Sequence, residues 1–250
     1  MSESPRLDLG RPRQTGELLR EALLVFFRQP LTLLGIGAAI VVPVELVVLG
    51  IGLEQFSAPY SDKVSTAELS VSSGVSYFVV APLVTAAMIK ALADIAGGER
   101  ARVSTSLQAG FDAFTPVLIA VGLAALGTAV GLLALIVPGI YLFVRWYFVP
   151  QTVVLDGERG PRALARSTEL VHGSWWRVAG VVLLANFLLA AVSLLLLAPV
   201  EAAAKAADRQ LAVLAGTVIL DIVTVTYLAV LSTLLFHDLR ARKARGFTAG

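Results

Sequence analysis

Ionisable residues interrupt apolar stretches of this 250-residue chain, and the first to consider are Glu45, Lys90, Arg145 and Asp221. A charge inside hydrocarbon is costly, so such side chains usually pair with one another or line a pathway. Counted from the outer ends of their stretches at about 1.5 Å per residue, Glu45 lies ~12 Å deep, Arg145 ~10 Å and Asp221 ~15 Å. The sequence therefore predicts an intramembrane polar layer of Glu45, Arg145 and Asp221, with Asn186 as a further polar side chain.

Two interpretations of this layer stay open. In the first, Glu45, Asp221 or both neutralise Arg145 in a buried structural ion pair, and Arg145→Met damages folding. In the second, the layer lines a polar cavity or substrate path, and the same substitution leaves a folded but inactive protein. Lys90 and Asp94 are four residues apart and are expected to pair along one helix without a functional role.

The sequence gives no sign of catalytic or metal chemistry. It contains no cysteine, which excludes disulfides, thiolate metal sites and cysteine nucleophiles. His172 and His237 have no histidine or carboxylate at ligand spacing. A P-loop, a dinucleotide fingerprint, a nucleophile elbow and a paired-histidine zinc motif are all missing. We therefore expect a protein that is not an enzyme and that needs no cofactor and no metal.

The elements that must position these residues are membrane-spanning helices. Hydrophobic residues make up 57% of the chain and charged residues 15%, with a mean hydropathy of +0.81. Most of the six apolar stretches reach the roughly 20 residues that a bilayer requires. They are residues 31–53, 75–96, 113–137, 140–155, 178–198 and 211–236. The stretch 140–155 is short and contains Arg145, so a re-entrant segment is the alternative there.

The distribution of basic residues predicts six crossings with both termini in the cytoplasm. Fifteen lysines and arginines then fall on the cytoplasmic side, and only Lys63, Lys205 and Arg209 fall outside. This is the bias of the positive-inside rule. We attribute the net charge of +2 to basic residues that face the anionic lipids of the cytoplasmic leaflet, and not to nucleic-acid binding. Because arginine greatly exceeds lysine, we expect a bacterial protein, and we place such a multi-pass protein in the cell (inner) membrane.

The chain is predicted to form one all-α membrane domain, residues 15–239, between two cytoplasmic tails. Residues 1–14 are expected to be disordered, and residues 240–250 form a basic tail. Amphipathic periodicity indicates interfacial helices on the cytoplasmic side at 15–28, 104–113 and 161–171. Each precedes two spans, which suggests three pseudo-repeated units, 15–98, 99–157 and 158–239. Gly127 and Gly131 favour close helix packing, and Pro138-Gly139 favours a tight outer turn.

A cluster of arginine and tryptophan residues marks the predicted cytoplasmic interface. It consists of Arg162, Arg166, Trp175, Trp176 and Arg177. Arginine binds phosphate well, and tryptophan prefers the headgroup region. We therefore expect these residues to bind anionic headgroups. Ordinary anchoring of the topology explains the same pattern equally well.

Two segments together resemble one known family. Residues 138–177 read PGIYLFVRWYFVPQTVVLDGERGPRALARSTELVHGSWWR, and residues 234–246 read LLFHDLRARKARG. They resemble the bacterial glycerophosphodiester phosphodiesterase membrane-domain family, six-span proteins of mostly unknown function. The family takes its name from fusion to a hydrolase domain, which these 250 residues do not include, so the resemblance implies no hydrolytic activity. It implies importance for Arg145 and for residues 163–177 without specifying a role.

Two functions from different classes follow from these features. The first is a non-enzymatic membrane protein, either a scaffold or a lipid-associated accessory factor, whose basic cytoplasmic face contacts anionic membrane lipids or a membrane-protein partner. The alternative is a transporter or lipid-flipping permease that uses the Glu45, Arg145 and Asp221 layer. Movement of lipid or solute into reconstituted vesicles, abolished by replacing Arg145, would favour the alternative.

Overall fold

The computed structural model describes residues 8–48, 76–207 and 210–246, and no β-strand occurs among them. The helices are α1 (Thr15–Arg28), α2 (Pro30–Val48), a π-helical turn (Ser76–Val80) continuing into α3 (Ala81–Ala96), α4 (Val103–Asp112), α5 (Phe114–Ala134), α6 (Ile136–Arg145), α7 (Val149–Asp156), α8 (Pro161–Val171), α9 (Trp175–Ala206) and α10 (Gln210–Ala244). The predicted all-α class is confirmed. Lys63, Arg209 and the outer segment 54–74 lie outside the described residues.

Five helices in the described ranges are long and apolar enough to cross a membrane. They are Pro30–Val47, Phe78–Ala96, Phe114–Ala134, Trp175–Ala206 and Ala212–Ala244. Helix α3 is largely buried, whereas α5 and α9 expose much of their apolar surface, with Leu133 88% exposed and Leu194 73% exposed. Such a continuous apolar surface is stable in lipid and not in water. The protein is therefore a multi-pass membrane protein in its architecture.

The stretch 140–155 does not form one helix. Helix α6 ends at Arg145, and α7 begins at Val149 with Pro150 in its first turn. Proline has no N–H to donate to the carbonyl group four residues earlier, and its ring collides with that group. For Pro150 that group belongs to Trp146, so the helix breaks at this point. Hydropathy does not reveal the break, because the interrupting residues are themselves apolar.

Helices α6 and α7 pack in succession along α5. Gly131 of α5 faces Gly139 of α6, where an added Cβ would lie 3.1 Å from the Gly139 Cα atom. Gly127 lies against the Trp146 ring. Further along α5, Val117, Ala120 and Ala124 form a small core with residues of α7 and α8. The two glycines therefore permit close helix packing, as their spacing predicts.

The turn between α5 and α6 lies three residues before its predicted position. Leu135 has an extended backbone (φ −164°, ψ 146°) and separates the two helices, while Pro138 and Gly139 lie in the first turn of α6. Proline is tolerated there because the first four N–H groups of a helix have no intrahelical acceptor. The prediction of a turn at Pro138-Gly139 is therefore wrong.

Three short helices, α1, α4 and α8, each pack against another helix. The Tyr227 hydroxyl of α10 donates to the Leu19 carbonyl of α1 (3.2 Å), and the Thr152 hydroxyl of α7 donates to the Ala163 carbonyl of α8 (3.2 Å). Gly110 of α4 fits against Ala87 of α3. The bounds of α1 and α8 agree with the sequence prediction, and α4 differs by one residue.

Both predicted tails are partly ordered. Residues 8–14 form no helix, but Arg13 is only 1% exposed, in contrast to the disordered tail expected for residues 1–14. Residues 1–7 lie outside the described residues. The predicted basic tail 240–250 overlaps the end of α10, which continues to Ala244. The reason is that buried ion pairs of Arg13 and Asp238 hold both segments.

The α5–α6 contact predicts that Gly139→Ala destabilises the protein. Its new Cβ would lie 2.7 Å from the Leu132 backbone nitrogen, which cannot move without opening the turn. We expect a loss of about 1–3 kcal/mol, the usual range for overpacking, measured as thermal unfolding in detergent. Gly122→Ala is the matched control, because nothing lies within 4 Å of its added Cβ. Equal stability of the two variants would contradict this packing.

Candidate functional site

A completely buried carboxylate, Asp238 of α10, connects three distant parts of the chain. The Arg13 backbone N–H donates to its Oδ1 atom (2.5 Å). Arg177 of α9 and Arg242 of α10 each donate from Nε to its Oδ2 atom, at 3.1 Å and 3.0 Å. Each of these guanidinium groups also donates from Nη2 to the Arg13 carbonyl oxygen, at 2.5 Å. Both polar groups of the Arg13 backbone are therefore satisfied by the ends of α9 and α10.

The Arg13 side chain is buried as well and has acceptors for all of its donor nitrogens. Its Nε donates to Glu21 of α1, while Nη1 and Nη2 donate to the carbonyl oxygens of Arg11 (3.2 Å) and Asp8. We call Arg13, Glu21, Arg177, Asp238 and Arg242 the Asp238 cluster. Three arginines in it face two carboxylates. Because a buried charge is tolerated only when it is paired and hydrogen-bonded, the cluster fixes the relative positions of its helices.

A second carboxylate, Asp156 at the end of α7, is also held by two arginines. Arg166 of α8 donates from Nε to Oδ2 (3.1 Å), and Arg240 of α10 pairs with Oδ1 (3.1 Å). Arg166 also donates to Glu169 (2.8 Å), and this hydrogen bond lowers the pKa of the Glu169 carboxyl. The bonds to Glu169 and Asp156 in turn raise the pKa of Arg166. This Asp156 cluster joins α7, α8 and α10.

Arg145 lies apart from both clusters. Its guanidinium carbon lies 5.2 Å from the centroid of the Tyr141 ring, and its backbone carbonyl accepts a hydrogen bond from the Ser167 hydroxyl of α8 (2.8 Å). The side chain lines a groove of about 560 Å³ together with Thr168, Glu169, His172 and Lys243, among others. The groove therefore runs between the end of α6, the end of α8 and the end of α10.

This position is a correction to the predicted polar layer. Arg145 neighbours α8 and the end of α10 and does not pair with Glu45 or Asp221. The depth count gave only the distance of Arg145 from the outer end of its stretch, and it took no account of α8, whose Ser167 hydroxyl binds the Arg145 carbonyl. Glu45 is buried in α2 and Asp221 lies in α10. The Asn186 amide donates to the Val182 carbonyl (2.8 Å) within α9, which satisfies it locally.

The arginines and tryptophans predicted to bind headgroups fall into two groups, one bound within the protein and one exposed. Arg166 and Arg177 are bound to Asp156 and Asp238 and are not exposed. The Trp175 indole N–H donates to the Tyr141 carbonyl (3.3 Å), and its ring stacks on the Tyr141 ring with centroids 5.9 Å apart. Only Arg162 and Trp176 remain exposed. The cluster thus combines internal structural contacts with a smaller exposed part.

Sequence reasoning missed the partners of these arginines. Asp238 and Arg242 have the i, i+4 spacing of a helical ion pair, and Asp156 precedes Arg166 by ten residues. All four residues lie in the two segments that carry the family resemblance, so the resemblance could have indicated that these acidic residues pair with the arginines. The role of Arg13 had no such signal, since 225 residues separate it from Asp238. Within the described ranges no group of three or more His, Asp or Glu residues could hold a metal ion.

Comparison with known proteins gives one match. Residues 120–239 match the model of a domain of unknown function (DUF7847). The match includes Arg145, Asp156, Arg166, Arg177 and Asp238 and excludes Arg13 and α1–α4. No curated protein and no solved structure matches the chain. The resemblance to the glycerophosphodiester phosphodiesterase membrane-domain family stays a prediction.

The Asp238 cluster predicts that Asp238→Asn strongly destabilises the protein. The substitution keeps the size of the side chain but leaves Arg177 and Arg242 without their buried counter-charge. We expect a loss of about 3–5 kcal/mol, the cost of breaking a buried ion pair, measured by thermal unfolding in detergent. Asp94→Asn is the matched control, because it breaks the exposed Lys90–Asp94 pair, for which about 0–1 kcal/mol is expected. Similar losses in the two variants would contradict the structural role of Asp238.

Proposed function

We propose that this chain is a six-span protein of a bacterial cell (inner) membrane with both termini in the cytoplasm. In this proposal it acts without catalysis, as a scaffold or lipid-associated accessory factor. Its basic cytoplasmic face contacts anionic membrane lipids and, through them or directly, a membrane-protein partner. The helices α1, α4 and α8 would then be the cytoplasmic interfacial helices of three pseudo-repeated units.

The packing of α6 and α7 supports a sixth crossing. Together they cover residues 136–156, which at about 1.5 Å per residue is close to the thickness of a hydrocarbon core. Their contacts follow α5 in reverse order, from Gly139 against Gly131 to Val149 and Val153 in the core with Val117. A broken helix is acceptable inside a membrane where neighbouring helices cover the break. The pair can therefore return the chain across the bilayer.

The Asp238 cluster supports an even number of crossings. Arg13 precedes the first span and Asp238 lies near the end of the last one, and the two residues are in direct contact. Segments in contact lie on the same side of the membrane. Because the five long helices alone would be an odd number, the α6–α7 pair completes the even count.

The observation that carries the lipid-binding proposal is a set of exposed arginines outside both clusters. Arg177 and Arg242 form ion pairs with Asp238, and Arg166 and Arg240 form ion pairs with Asp156. Arg100, Arg102, Arg159 and Arg162 are exposed in and beside the connections that precede α4 and α8. Basic residues beside an anionic leaflet contribute about 1 kcal/mol each to membrane association. These four arginines are therefore available for headgroups.

The arginine contacts also favour a non-catalytic function. General acid–base catalysis requires a carboxyl group that can reach and exchange a proton with a substrate. In Asp238 and Asp156 both oxygens accept hydrogen bonds or ion pairs from the protein itself. The transporter or lipid-flipping alternative has less support, because Arg145 lies outside the proposed layer of Glu45 and Asp221.

The basic face predicts a preference for anionic lipid that depends on the four exposed arginines. The protein is equilibrated with phosphatidylglycerol and phosphatidylcholine in mixed micelles, and co-purified lipid is counted by native mass spectrometry. Changing Arg100, Arg102, Arg159 and Arg162 together to Gln is expected to lower the phosphatidylglycerol preference at least tenfold, given about 1 kcal/mol for each charge.

The matched control changes the three basic residues of the predicted outer side, Lys63, Lys205 and Arg209, to Gln. It is expected to keep the preference of the unchanged protein in this experiment. An unchanged preference in the fourfold variant, or an equal loss in the control, would overturn the proposed function.

A further inference from the structure

We propose that the groove beside Arg145 binds the phosphate group of a glycerophospholipid. The inference rests on the proposed lipid association and names a specific site for it. We call this groove, with the adjoining aromatic groove described below, the Arg145 groove. It is distinct from the four exposed arginines, none of which lines it.

Arg145 offers an unneutralised guanidinium at a fixed position. Its guanidinium lies over the face of the Tyr141 ring, and it pairs with no carboxylate among the residues that the structure describes. The Ser167 hydroxyl holds its carbonyl oxygen, and the Trp146 N–H that follows it donates to Leu142 (2.9 Å). The backbone is thus held while the planar donor group keeps its capacity to bind phosphate in a bidentate manner.

A second basic residue lines the same groove. Lys243 of α10 lines the groove and donates one hydrogen bond to the Glu169 carbonyl oxygen. A lysine ammonium has three donors, so two remain for a ligand. Glu169 is the one carboxylate among the lining residues, and Arg166 outside the groove already binds it at 2.8 Å. The groove therefore presents a net positive charge to an anion.

An aromatic compartment continues from the cationic end. A second groove of about 390 Å³ shares Arg145, His172 and Gly173 with the first and is lined further by Tyr141, Val171 and Trp175. Gly173 has a positive φ of 78°, which lets the chain turn sharply between α8 and α9. The apolar run of α9 begins a few residues later, at Val178. Tyrosine and tryptophan prefer this depth, where headgroup and acyl chain meet.

This arrangement matches an amphiphile better than a free anion. A phosphate between Arg145 and Lys243 would place the attached glycerol and the first acyl carbons beside Tyr141 and Trp175. Inorganic phosphate would use only the cationic end. The shared chemistry is phosphate recognition, and the aromatic compartment selects the lipid as its source.

The tryptophans supply a local optical probe for the test. The chain has three tryptophans, and two of them report on the groove: Trp175 lines it, and the ring of Trp176 packs edge-on against that of Trp175. The third, Trp146, packs against Gly127 of α5. The detergent-purified protein is titrated with dioctanoyl phosphatidylglycerol, and intrinsic fluorescence is recorded. We expect a saturable change. Arg145→Gln is expected to weaken the apparent affinity at least tenfold, and Lys243→Gln several-fold.

Controls separate the groove from the general basic face. Arg162→Gln, an exposed residue of α8 outside the groove, is expected to change the affinity less than twofold. Arg145→Lys is expected to recover part of the affinity, because the charge returns without the planar fork. If Arg145→Gln does not yield folded protein by its thermal transition, Lys243→Gln carries the same test.

The outcomes distinguish this inference from the proposed function. Saturable lipid binding that depends on Arg145 and Lys243 supports the groove. No saturable change, or equal affinity in the Lys243→Gln and unchanged proteins, overturns it, even if the fourfold arginine variant still shows that the basic face prefers anionic lipid. Inorganic phosphate that binds as tightly as the lipid overturns the lipid assignment. Phosphate that binds at least tenfold more weakly supports it.

Discussion

The structure depends on one electrostatic constraint, the burial of the Asp238 carboxylate. A carboxylate removed from water must be surrounded by donors, and here they come from Arg13, Arg177 and Arg242. Arg13, two residues before α1, the first turn of α9 and the last turns of α10 therefore meet at one point. These segments lie at the two ends of the chain and at the start of the α9–α10 hairpin. A single ion-pair network therefore holds both ends of the chain and this hairpin together.

The arginines of this protein divide into groups with different physical roles. One group, represented by Arg177 and Arg166, neutralises buried or half-buried carboxylates and holds helices together. A second group, represented by Arg100 and Arg162, is exposed, and Arg145 forms a third environment above an aromatic ring. The positive-inside rule counts all of them equally. Only the structure distinguishes the arginines that form ion pairs within the protein from the exposed arginines that can contact lipid.

The sequence predicts most of the helices because apolar runs and amphipathic periodicity are local signals. Residues Thr15–Arg28 and Pro161–Val171 were located with their correct bounds for this reason. The break at Trp146 was missed, since apolar residues on both sides conceal the effect of Pro150. Arg145 was assigned to the wrong neighbours because no local signal shows that α8 and the end of α10 pack beside the end of α6. The burial of Arg13 could not be predicted either, because its segment has the composition of a solvated tail and the partners of its backbone groups are more than 160 residues away.

The central claim is that the Asp238 cluster holds both ends of the chain on one face of the membrane. Since the protein has no cysteine, single cysteines can be placed at Gln14, at Arg245 and, in the predicted outer segment, at Ser65. Labelling intact cells whose outer face is accessible with a membrane-impermeant maleimide tests the claim directly. The account predicts that only Ser65→Cys reacts before permeabilisation and that all three react afterwards. Labelling of one of Gln14→Cys and Arg245→Cys from outside, but not of the other, would contradict it.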